Sequence, residues 1–170
     1  MRWWRVALAA ALLVVVQVAV FPHLRLFGVV PDLGLLLGVA IAYRHGPEAG
    51  ALGGFGAGLA YDLFLETPAG LSALAYALTA HGVGVLQAGM LREPRGATPV
   101  IGLVAGLAGG LLFAGIGILA GFDALRGTRT LEVIALAATY DAVLAPAVFA
   151  LVNRFVDADR TGASGFTIRS

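Results

Sequence analysis

The run from Val100 to Phe122 contains no charged residue and is one of six apolar stretches in the chain. Inside hydrocarbon no water is available to backbone N–H and C=O groups, so such a run must satisfy them within itself, as a helix does. A membrane-crossing helix needs about 20 mostly apolar residues. Val6 to Phe21, Phe27 to Tyr43, Ala49 to Leu65, Leu71 to Leu91, Val100 to Phe122 and Leu131 to Val152 meet or approach that length. The expected fold is therefore an all-α integral membrane protein, a compact bundle of six transmembrane helices over residues 1–152. A polar tail, 153–170, is expected to be disordered. Composition agrees: 59% of residues are hydrophobic and 12% charged, with a mean hydropathy of +0.91.

At 170 residues the bundle uses nearly the whole chain and no large soluble module fits. The absence of cysteine excludes disulfides, thiolate metal sites and a cysteine nucleophile. The eleven cationic residues are all arginine, spread out against a net charge of +1, so no nucleic-acid footprint is present. Arginine bias orients the bundle. With the N-terminus inside, inner segments hold Arg2, Arg5, Arg44, Arg92, Arg95 and Arg154, with Arg160 and Arg169 in the tail; outer loops hold Arg25, Arg126 and Arg129. This bias places both termini in the cytoplasm. The basic start and apolar centre of the first span resemble a signal peptide, but no small-x-small cleavage site follows, and it reads as an uncleaved span.

Two features make the bundle irregular. Pro31 suits the first position of a helix and Asp32 its first turn, so the second span is expected to become helical at Pro31. About 13 residues then remain, roughly 20 Å, too few to span alone. The preceding "PHLRLFGVV" is expected to be extended or re-entrant under a cover of protein. Glycines also recur every four residues, at Gly50, Gly54 and Gly58 and again at Gly102, Gly106 and Gly110. Such rows let helix backbones approach closely, within the bundle or at a partner interface. A spacing of four drifts about 40° around the helix, so the first row winds toward Asp62.

Polar groups in a bilayer must face protein or water. Asp62 and Glu66 lie near a span end, whereas Asp141 lies well inside the sixth span and needs a partner among Tyr140, His81 and Gln17. Gln17 is expected to bond another helix. "LAYDLF" and "ATYDAV" share a Tyr-Asp pair in the third and sixth spans, as an inverted repeat would place it. His81, with no second histidine four residues away, reads as a packing residue and not a metal ligand. "GLSA" at Gly70 to Ala73 opens the fourth of six helices and resembles the serine region of rhomboid proteases. That chemistry needs a base, which in that family is a histidine of the sixth helix; this sixth span has none. HExxH, GxSxG, Walker and Rossmann patterns are absent as well. No catalytic, cofactor-binding or metal-binding residues are assigned, and the chain reads as a non-enzyme.

The ordered set Gln17, "FPHLRLFGVVPDLGLLL", "GALGGFGAGLAYDLF" and "TPAGLSALAYAL" resembles the rod shape-determining protein MreD family over about Gln17 to Leu78. The second half matches only in hydropathy. The resemblance implies a scaffold subunit of the machinery for lateral peptidoglycan synthesis in the bacterial plasma membrane. It would bind MreC and act beside MreB, RodA and a class B penicillin-binding protein. Proteins of that family also look like the six-helix substrate-binding subunits of energy-coupling-factor transporters, which makes a vitamin- or metal-transport subunit the alternative. Those subunits dock a partner through an Ala-x-x-x-Ala row in the first helix, which Ala7 and Ala11 satisfy.

Overall fold

The computed structural model describes residues 29–64, 70–89 and 96–156. The first span, Gln17, the Ala7 and Ala11 row, His23, Arg25, Glu66 and the tail beyond Val156 lie outside the described residues.

The second span is helical only over Leu33–His45, here α1. Its 13 residues rise about 20 Å, shorter than the roughly 30 Å hydrocarbon core. The start differs from the sequence expectation by two residues. Asp32 is the N-cap, outside the helix, and its side chain accepts the Leu35 N–H at 3.2 Å, so Pro31 precedes the cap instead of opening the helix. A short carboxylate at that position satisfies a backbone donor that no residue within the helix can reach.

Every residue of α1 from Leu33 to Ala42 is buried. A helix that is apolar all round has no polar face to turn outward, and this one is enclosed on all sides. Its neighbours are the remaining four described α-helices. They are α2, Pro47–Phe64; α3, Leu71–Ala88; α4, Thr98–Leu119; and α5, Thr128–Val156. A 3₁₀ turn, Asp123–Arg126, joins the last two. A single residue, Gly46 at φ 91°, separates α1 from α2, a left-handed conformation that glycine adopts without strain. Proline stands at the start of α2 and near that of α4, where its missing N–H costs no helical bond.

The helices flank α1 as two antiparallel pairs, α2 with α3 and α4 with α5, joined through contacts between α3 and α4. Among the described residues three helices, α3, α4 and α5, are long and apolar enough to cross a membrane. Outward positions carry large apolar side chains such as Leu63, Leu86, Leu119 and Val143, while two carboxylates, Asp62 and Asp141, are buried. Apolar outside and charged inside is the arrangement lipid favours, since hydrocarbon accepts the leucines but not the acids. His81, expected to be a packing residue, instead stands exposed on α3.

Candidate functional site

Two polar junctions and two glycine seams organise the described bundle. At the first junction, the N-cap of α3 is Gly70, which is left-handed at φ 101° and has no side chain with which to cap the helix. Asp62, near the end of α2, supplies the cap from across the interface. Its Oδ2 accepts from Gly70 N at 2.8 Å and Ala73 N at 3.3 Å, and Oδ1 accepts from Ser72 N at 3.2 Å. These are donors that a helix start leaves without intrahelical partners. A carboxylate there also faces the positive end of the helix dipole.

The second junction involves residues far apart in sequence. Asp141 of α5 is 1% exposed and its Oδ1 accepts the backbone N–H of Asp32 at 2.7 Å. Asp32 in turn caps α1. These hydrogen bonds tie α5 to the start of α1. The Asp32 N–H is a partner outside the set of Tyr140, His81 and Gln17 expected for Asp141. Sequence patterns address side chains, and this donor is main chain.

The glycine seams hold these junctions at close range. A Cβ at Gly50 would overlap Ala42 of α1, reaching its Cα at 2.5 Å. At Gly54 it would lie 2.8 Å from the Tyr76 carbonyl of α3, and at Gly58 it would lie 2.5 Å from the Ala73 Cα. The row therefore passes from α1 to α3 as it winds, and Asp62 follows in the same direction. On the other side, Gly102 faces the Asp141 carbonyl, Gly106 faces Ala138 and the Asp141 carboxylate, and Gly110 faces Ile134, all on α5. These approaches are made within the chain.

Several contributors went unnoticed in the sequence. Gly38 fits against the Gly54 Cα, and Gly84 against Pro47, so α1 and α3 hold glycines that do the same work as the two rows. The spacing of Gly34 and Gly38 was a visible signal of this. Tyr76 had none. Asp32, Tyr61, Ser72, Tyr76 and Asp141 all line one cavity of about 250 Å³ between the two helix pairs. Gln17 lies outside the described residues, and Pro31 is buried beside Asp32 at the head of α1.

A family model described as rod shape-determining protein MreD matches residues 1–155 of the chain. No curated protein and no solved structure matches it.

Proposed function

The chain belongs to the rod shape-determining protein MreD family, and from that premise we propose that it is a non-enzymatic scaffold of the wall-elongation complex. The family match over residues 1–155 carries the reading, since membership implies a role in rod shape determination. In this reading the protein sits in the bacterial plasma membrane as a six-helix bundle with both termini cytoplasmic. It binds MreC and works beside MreB, RodA and a class B penicillin-binding protein.

The architecture supports such a role in two ways. The α1–α2 junction is one residue and the α4–α5 connection is short, so the described residues offer little mass outside the bundle for recognition. Partners must then meet helix faces, and the exposed apolar faces of α3, α4 and α5 are available for that. The glycine seams and aspartate junctions, for their part, fix the shape of those faces.

Affinity capture of the tagged protein from a rod-shaped host, followed by mass spectrometry, tests the proposal. Recovery of MreC with wall-elongation proteins is expected, and Gly54→Leu should reduce it. A folded sample that recovers none of them overturns the scaffold reading.

A further inference from the structure

The cavity between the helix pairs has a lining that structural packing does not explain. Ser72 is 1% exposed, its Oγ has no hydrogen-bond partner among the described residues, and it lines this cavity. A buried hydroxyl left unpaired is unfavourable, and it is the group a ligand would satisfy. Two carboxylates, Asp32 and Asp141, line the same space, and among the described residues no arginine or histidine does. Acids placed within a bilayer ordinarily pair with a cation or sit in water. The aromatic rings of Tyr61 and Tyr76, with centroids 6.3 Å apart, complete the polar side of the wall, and Phe113 and Ile134 are among its apolar members.

We propose that this cavity is a binding site for a primary ammonium group on a short apolar body. Such a group brings three N–H donors, which the carboxylates and the Ser72 Oγ can accept, and a positive charge that aromatic faces attract. A space of about 250 Å³ has room for such a head together with its apolar body. Among the described residues no three His, Cys, Asp or Glu side chains group together, which sets an ammonium above a metal ion. The ammonium could come from a lipid headgroup, such as ethanolamine of phosphatidylethanolamine, or from a free amine. The cavity extends to Leu125 and Thr130 at the end of the bundle where α4 gives way to α5. The site is independent of the scaffold role, because partner capture can fail while ligand binding succeeds.

The test uses the full chain in lipid nanodiscs of pure phosphatidylglycerol, titrated with ethanolamine and, as a near-isosteric neutral control, ethylene glycol. A parallel set contains phosphatidylethanolamine. The wild type should show a saturable rise in Tm of at least about 2 °C with ethanolamine and none with ethylene glycol. Ser72→Ala should weaken the response, and Asp141→Asn should abolish it while keeping an oxygen for the Asp32 N–H. Ala137→Leu, which fills the cavity wall, should abolish it with both carboxylates in place. A rise in phosphatidylethanolamine discs alone supports the site and assigns it to the lipid headgroup. Equal responses to ethanolamine and ethylene glycol overturn the proposal. So does a response that survives both Asp141→Asn and Ala137→Leu, or no response from folded wild type in either lipid.

Discussion

Gly58→Ala adds one methyl group to an 18-residue helix, and the structure says that it should be costly. The new Cβ would lie 2.5 Å from the Ala73 Cα and 2.6 Å from both the Ala73 N and the Ser72 carbonyl carbon, all backbone. Carbon atoms in contact settle near 3.5–4.0 Å, so α3 must retreat by about 1 Å. Overpacking of this kind costs about 1–3 kcal/mol. The retreat also takes the start of α3 away from Asp62. Ser72 N and Ala73 N sit at 3.2 and 3.3 Å from its oxygens, and a further 1 Å or so puts both beyond hydrogen-bond range. Each lost bond adds about 0.5–1.5 kcal/mol. Against this total of roughly 2–6 kcal/mol, alanine gains about 1 kcal/mol of helix propensity over glycine.

Gly56 on the same helix is the matched control. A Cβ there meets nothing within 4 Å, so Gly56→Ala should be neutral or stabilising by up to about 1 kcal/mol. Unfolding of both purified variants in mixed micelles, followed by circular dichroism, measures the difference. If the two variants agree within about 0.5 kcal/mol, the seam between α2 and α3 does not limit helix approach and the reasoning is wrong.

Three further outcomes follow from the junctions and the topology. Asp62→Ala leaves the N–H groups of Gly70, Ser72 and Ala73 without their acceptor and should destabilise by about 2–4 kcal/mol in the same assay, with Asp62→Asn losing less because one oxygen remains. Asp141→Ala orphans the Asp32 N–H and should cost about 1–3 kcal/mol, whereas Asp141→Asn should recover most of it; equal loss in both would remove the hydrogen bond from the explanation. The chain has no cysteine, so single-cysteine variants label cleanly: Arg126→Cys should react with an impermeant maleimide on intact cells, and Glu48→Cys only after permeabilisation, the reverse pattern inverting the proposed topology.

Hydropathy and spacing made much of this legible. The positions of α2 to α5 follow the apolar runs to within a few residues, because a helix in lipid is bounded by where apolar side chains stop. α5 extends past both expected ends, since Thr128 to Thr130 and Arg154 can continue a helix at the interface although they are polar. The shortness of α1 was readable from Pro31-Asp32, but not the N-cap role of Asp32, because a cap and a first-turn acid look alike in sequence. The glycine rows showed that helices approach closely, and only coordinates could say which helices. The Asp32 to Asp141 bond spans 109 residues and joins side chain to backbone, a pairing with no residue-type signature.

Seen together, the short central helix and the buried acids solve a single problem. At about 20 Å, α1 is shorter than the roughly 30 Å hydrocarbon core, and a helix start inside hydrocarbon exposes donors that lipid cannot satisfy. Asp32 takes the Leu35 N–H, and Asp141 takes the N–H of Asp32 itself. Asp62 performs the same service for α3, whose own cap position is a glycine. Both Tyr-Asp pairs noted in the sequence thus place an aspartate against the main chain at the start of another helix. Each acid sits beside a glycine seam because the bonds need helix axes closer than larger side chains permit. The seams and the acids are therefore coupled, and substitution of a seam glycine should weaken the adjacent carboxylate junction even where that carboxylate is untouched.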